Sequence, residues 1–90
     1  LARYGGEEFI VLARMTPLEG ARVLLERMRQ CVEAKPFVVP TDKGEQSITV
    51  TLSAGFTALI KGSTMEQAVE RADGALYEAK ESGRNQVVAR

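Results

Sequence analysis

Between Ser47 and Ile60, apolar residues alternate with small or polar ones. Ile48, Val50, Leu52, Ala54, Phe56, Ala58 and Ile60 face one way; Thr49, Thr51, Ser53, Gly55 and Thr57 face the other. A period of two belongs to a half-buried strand, so this stretch predicts one long strand. Phe9-Ile10-Val11-Leu12-Ala13 is continuously apolar instead, as expected for a strand covered on both faces. Two other segments carry the helical period. Leu18, Ala21, Leu25, Met28 and Val32 recur at spacings of three and four, and Met65, Ala68, Val69, Ala72, Leu76 and Ala79 form a second stripe.

The ends of these elements are marked by their chemistry. Thr16-Pro17-Leu18-Glu19 predicts Thr16 as N-cap, Pro17 at the first helical position and Glu19 closing a capping box. Pro36 ends that helix at about Ala34. Arg22–Glu26 and Arg29–Glu33 are i,i+4 pairs on its wet side. Ser63-Thr64-Met65-Glu66 reads as a second capping box, Gly74 interrupts the second helix at a cost of roughly 1 kcal/mol, and Gly83 suits a left-handed C-cap. Short strands are expected at Leu1–Tyr4, at Phe37–Val39 near a sheet edge, and at Gln86–Ala89, with a turn at Asp42-Lys43-Gly44-Glu45. The order β-β-α-β-β-α-β predicts an α+β fold, an α/β sandwich with helices packed on a mostly antiparallel sheet.

Composition narrows the function. Ninety residues make one small domain with a modest core. Twelve basic and twelve acidic residues leave no net charge, so no global field argues for nucleic acid or an anionic membrane surface. No apolar run approaches the length needed to span a bilayer. The lone Cys31 cannot form an internal disulfide, fits a reducing cytosol, and reads as a small buried hydrophobe beside the first apolar stripe. With no histidine, imidazole base chemistry and most zinc sites are excluded, which leaves carboxylates, lysine and arginine as the reactive inventory.

Arg3-Tyr4-Gly5-Gly6-Glu7-Glu8-Phe9 is where that inventory concentrates. Gly5 and Gly6 supply the positive φ of a primed hairpin turn, and their bare backbone leaves room for a ligand. Glu7 and Glu8 follow at the hairpin tip. They read either as solvated surface charges or as hard oxygen ligands for Mg²⁺ beside a phosphate. The loop resembles the signature of the GGDEF family, the diguanylate cyclases, in its Gly-Gly-Glu-Glu-Phe form. Two further stretches agree. Ala72 to Asn85 is similar to the family's last helix and the basic turn after it, and Thr51-Leu52-Ser53-Ala54-Gly55-Phe56 resembles its central Ser-x-Gly strand. The resemblance covers essentially the whole chain.

That resemblance implies a nucleotidyl cyclase palm-like fold, with residues 1–90 as the C-terminal part of a single GGDEF domain. The family's domain is roughly twice this length. Its first strand and two helices would lie upstream, with another metal-binding aspartate, the guanine-contacting side chains and the inhibitory Arg-x-x-Asp motif. A segment lacking a central strand has a sheet edge to hide, so pairing with a partner chain is expected. The implied reaction condenses two GTP into cyclic di-GMP with release of two pyrophosphates, at the interface of two such domains. By itself the 90-residue segment is expected to be inactive.

The resemblance also assigns roles. Glu7 would ligate Mg²⁺ (or Mn²⁺) and is the implied acceptor of the 3′-hydroxyl proton. Glu8 would support the metal or the catalytic geometry, and Gly5 and Gly6 would underlie the nucleotide. Lys80 and Arg84 match the pair that grips the β- and γ-phosphates; the plainer reading is two cations complementing a helix dipole. Arg27 falls where some members use arginine for a secondary contact to bound product; otherwise it is a solvated helix residue. Asp73 and Tyr77 read as structural, an anchor for nearby backbone or a base and a packed ring with its hydroxyl at the rim. The expected partners are GTP, cyclic di-GMP, a second GGDEF domain and an upstream sensory or receiver domain, in the cytoplasm, with no nucleic acid and no membrane contact by this segment. Three other readings stay open: a degenerate domain that binds GTP or cyclic di-GMP without turnover, a cyclase with altered base choice, and a segment that only dimerises.

Overall fold

The computed structural model describes residues 2–3, 8–11 and 16–90. Its elements are β1 (Ala2–Arg3), β2 (Phe9–Ile10), α1 (Leu18–Ala34), β3 (Phe37–Thr41), β4 (Gly44–Ile48), β5 (Ala54–Phe56), α2 (Met65–Glu81) and β6 (Val87–Ala89). The α+β class and the palm-like arrangement are as expected, with one strand more than the sequence pattern predicts.

The strands pair two by two. β1 and β2 are antiparallel, with Ala2 opposite Ile10 and Arg3 opposite Phe9, so a hairpin brackets the Gly-Gly segment. Of the expected second strand, covered on both faces, Val11 instead follows β2 outside the ladder and is exposed, because no further described residue of β1 pairs with it, and Leu12 and Ala13 lie outside the described residues. β3 and β4 form a second antiparallel hairpin, from Phe37 opposite Ile48 to Thr41 opposite Gly44. Its turn is Asp42-Lys43 alone, and Gly44 follows with φ +102°, a conformation that glycine adopts without steric cost. β5 and β6 are parallel, with Ala54, Gly55 and Phe56 opposite Val87, Val88 and Ala89. A parallel pair needs a crossover, and α2 supplies it.

This β5–α2–β6 unit is the core. Gly55 faces α2 so closely that a Cβ there would lie 2.2 Å from the Leu76 backbone nitrogen and 2.3 Å from the Ala72 carbonyl oxygen. Alanine on the helix completes the fit: Ala75 and Ala79 are 0% exposed and Ala68 is buried. Phe56, the next residue, points to the opposite sheet face by the strand's period of two. There it is buried, and the Arg22 guanidinium of α1 lies 5.1 Å from its ring centroid, a cation–π contact. The two-stranded ribbon is thus a layer between two helices.

The expected long alternating strand is broken: β4 ends at Ile48 and β5 begins at Ala54, with residues 49–53 between them outside any strand. Alternation makes a strand only where a neighbour completes the ladder, and these two halves pair with different partners. Ile48, Val50 and Ile60 are accordingly exposed. The N-cap of α1 is Pro17, not Thr16; the Pro17 carbonyl accepts from the Ala21 N–H at 3.0 Å, and a proline has no side-chain acceptor to form a capping box. None of α1 is fully buried, and Leu18 and Met28 of its stripe are exposed, as is Cys31. Arg22 pairs with Glu19 at 3.7 Å rather than with Glu26, which Arg29 takes at 3.1 Å; the expected Arg29–Glu33 pair forms at 3.7 Å.

The second capping box shifts by one residue. Thr64 Oγ1 accepts from the Gln67 N–H at 3.1 Å, and Gln67 Oε1 accepts from the Thr64 N–H at 2.9 Å. Ser63 instead donates its hydroxyl to the Ile60 carbonyl at 2.9 Å, which closes the preceding turn. Because the box satisfies two otherwise orphaned donors, Thr64→Ala is expected to destabilise the protein by about 1 kcal/mol, read as a lower urea midpoint at unchanged slope. A midpoint equal to wild type would mean that water replaces the hydroxyl without loss.

Candidate functional site

Asp73, Leu76, Tyr77 and Lys80 recur at three and four residues along α2, which brings them to one face. Together with Glu8, the residue before β2, they line a cleft of ≈ 200 Å³. A carboxylate from the end of the hairpin segment and an ammonium from the last turn of α2 therefore meet across one space. Glu8 and Lys80 are both half-buried, and neither has an ion pair with a described residue. Opposite charges that leave each other unpaired are available to a ligand that carries both an anion and a cation.

Gly5, Gly6 and Glu7 lie outside the described residues. Arg84 is exposed, beyond the end of α2 rather than on it. The helix closes with a Schellman turn: the Arg84 N–H donates to the Ala79 carbonyl at 2.9 Å, and Gly83 has φ +112°. The i,i+4 helical relation expected between Lys80 and Arg84 therefore does not hold, because the chain leaves the helix between them. Arg27 is exposed on α1, as is Glu81 at the end of α2.

Asp73 and Tyr77 differ from their expected roles. Tyr77 is 66% exposed, so its ring is not packed into the core, and Asp73 is exposed on the cleft wall. Sequence reading also missed Asn85, Arg29 and Ser53 as a connected group. Arg29 Nη1 donates to Asn85 Oδ1 at 3.0 Å, and the Asn85 N–H donates to Ser53 Oγ at 2.9 Å. The available signal was an asparagine just past a helix-ending glycine, where left-handed backbone is tolerated.

A larger cleft of ≈ 440 Å³ lies elsewhere, lined by Gln67, Glu70, Arg71 and Arg90. Its cations are engaged by the protein itself. Arg71 donates to Thr57 Oγ1 and to the Ala58 carbonyl, and Arg90 lies 3.9 Å from Glu78. The smaller cleft is the one with unpaired chemistry.

Comparison with known proteins identifies the chain. The family model "Diguanylate cyclase, GGDEF domain" matches residues 1–86. The chain belongs to the GGDEF family. It is similar to diguanylate cyclase DgcP of Pseudomonas aeruginosa, 48% identical over 87 residues, which covers 97% of this chain and 12% of that protein. It is also similar to response regulator PleD of Caulobacter vibrioides, 44% identical over 89 residues, covering 98% of this chain and 19% of that protein. Among solved structures it resembles the GGDEF domain of DgcB from Caulobacter crescentus in complex with c-di-GMP. That likeness has a TM-score of 0.74 at 30% identity, covering 81% of this chain and 41% of the other. The chain thus spans less than half of the GGDEF-domain structure and a fifth or less of these two full-length relatives. No helix among the described residues is long and apolar enough to cross a membrane.

Proposed function

We propose that this chain is the C-terminal part of a GGDEF domain whose intact protein is a diguanylate cyclase, condensing two GTP into cyclic di-GMP and two pyrophosphates. The observation that carries the reading is the shared cleft of Glu8 and Lys80 in a GGDEF chain. Lys80 supplies a point charge for a phosphate oxygen, and Arg84, just beyond it, can bind another bidentately. Glu7 and Glu8 are hard oxygen donors. Mg²⁺ takes only one or two carboxylates and completes its shell with phosphate and water, so the chemistry of this donor pair fits it. When bound, the ion (Mg²⁺, or Mn²⁺) would neutralise triphosphate charge and favour an ionised 3′-hydroxyl.

The residues of this chain then divide the work. Lys80 and Arg84 hold the β- and γ-phosphates, the leaving group of the reaction. Glu7 accepts the 3′-hydroxyl proton, and the Gly5-Gly6 backbone leaves room for the nucleotide. Each product needs two 3′-hydroxyls attacking two α-phosphates, so two domains face each other, each with one GTP. GTP as substrate sets the reaction in the cytoplasm, and an upstream sensory or receiver domain would control the pairing.

The test uses the intact protein with GTP and Mg²⁺, and product is separated by chromatography. Cyclic di-GMP with two equivalents of pyrophosphate is the expected result. GTP binding without product would leave a regulatory module instead. Lys80→Ala should weaken GTP affinity by roughly 30-fold, the equivalent of about 2 kcal/mol for a charge-assisted contact. Unchanged affinity would remove Lys80 from the phosphate site.

A further inference from the structure

The turn after α2 carries an unusual backbone. Gly83, Arg84 and Asn85 have φ values of +112°, +63° and +51° in succession. Glycine takes such values freely, whereas each of the other two is held there against a steric cost. The surroundings that hold them come from three separate elements. From α2, the Ala79 carbonyl accepts from the Arg84 N–H. From the residue before β5, Ser53 Oγ accepts from the Asn85 N–H.

From α1, two residues grip the Asn85 side chain. Arg29 Nη1 donates to its Oδ1, and its Nδ2 donates to Glu33 Oε2. Arg29 is itself fixed: its side chain is 16% exposed, its Nε and Nη2 both donate to Glu26 Oε2, and Glu33 lies 3.7 Å away. Every polar group of the Asn85 side chain is engaged. Arg84, one residue earlier, is the opposite case. Its side chain is exposed and has no ion pair or hydrogen bond with the described residues. Neighbouring elements thus set where Arg84 leaves the backbone, while its guanidinium stays free.

We propose that Asn85, clamped by Arg29 and Glu33 of α1, is a positioning residue that aims Arg84 at the nucleotide's terminal phosphates. The proposal rests on the reading of Lys80 and Arg84 as the phosphate grip. A bidentate guanidinium–phosphate contact depends on orientation, and displacements near 1 Å are enough to weaken a positioned group severely. Lys80 needs no such device, because it sits within the helix and binds as a point charge.

The test is a double-mutant cycle in the intact protein. Binding of 3′-deoxy-GTP with Mg²⁺ is measured by calorimetry; this analogue lacks the attacking hydroxyl and cannot turn over. Asn85→Gly is the informative variant, because glycine keeps the positive φ while the clamp is lost. Arg84→Ala is expected to weaken binding roughly 30-fold and Asn85→Gly roughly 10-fold. In the Arg84→Ala background, Asn85→Gly should add nothing, since no guanidinium remains to be aimed. A merely structural role would instead carry its full factor into the double variant, and that result overturns the proposal, as does unchanged binding by Asn85→Gly alone. If Arg84→Ala itself leaves binding unchanged, the phosphate-grip reading falls, and the positioning role with it. Should Asn85→Gly fail to fold, Arg29→Lys, which keeps the charge but loses the planar fork, takes its place in the same cycle with the same outcomes.

Discussion

Replacing Gly55 with alanine is expected to destabilise the protein by about 3 kcal/mol or more, at the upper end of what overpacking costs. The added Cβ would sit 2.2 Å from Leu76 N, 2.3 Å from Ala72 O and 2.8 Å from Ala75 C. All three are backbone atoms, so no change of rotamer relieves the clash. The helix must move away from the strand by roughly 1 Å to restore ordinary contact, and close-packed interiors resist such shifts. Moving it also opens the seam that Ala75 and Ala79 seal.

Lys80 rides on the same helix, so in the intact protein the proposed GTP binding should weaken together with the lower urea midpoint. Gly74→Ala is the control. A Cβ there meets the Arg90 guanidinium at 2.0 Å, the far end of a flexible side chain that can swing aside. The roughly 1 kcal/mol helix preference of alanine over glycine offsets that rearrangement, so the variant should stay within about 1 kcal/mol of wild type. A Gly55→Ala midpoint as close to wild type as that control would show that the helix is not seated on the strand as described.

Under the proposed cyclase reading, Glu7→Gln in the intact protein is expected to lower turnover by about 10²–10³-fold or more while the protein stays folded. Glutamine keeps the shape of the side chain and one carbonyl acceptor. It loses the charge that neutralises a bound cation and the basicity that receives a proton. Neither loss is made good by Glu8, whose own carboxylate is already committed on the cleft wall it shares with Lys80. Initial rates of pyrophosphate release at saturating GTP separate the roles. A fall in kcat with little change in KM assigns Glu7 to the chemical step; a rise in KM alone makes it a binding residue. Wild-type rates in the glutamine variant would remove Glu7 from the mechanism.

The helices were legible because their signals are local. The three-and-four spacing of Ala68, Ala72, Leu76 and Ala79 and the stop at Pro36 need no knowledge of the rest of the fold, and α1 ends at Ala34 as expected. The pairing of β1 with β2 on either side of Gly5-Gly6 was legible for the same reason, and motif spacing singled out Glu8 and Lys80, which share one cleft. The alternation from Ser47 to Ile60 misled, because it records which side chains could share a face and not which neighbour will bond the backbone. Capping failed by single residues at both helices, where several hydroxyls and prolines compete within one turn.

By itself, then, the sequence determined the class of the fold, the family, and the residue types available for chemistry at the two ends of the chain. Each of these is carried by short motifs and their order along the chain, which need no tertiary contact to be read. Tertiary structure alone decided that β5 and β6 run parallel, that Gly55 touches helical backbone, and that Arg29 reaches Asn85 fifty-six residues away. Such contacts join segments with no local preference for one another, and they form only when packing brings the two surfaces within van der Waals and hydrogen-bonding reach.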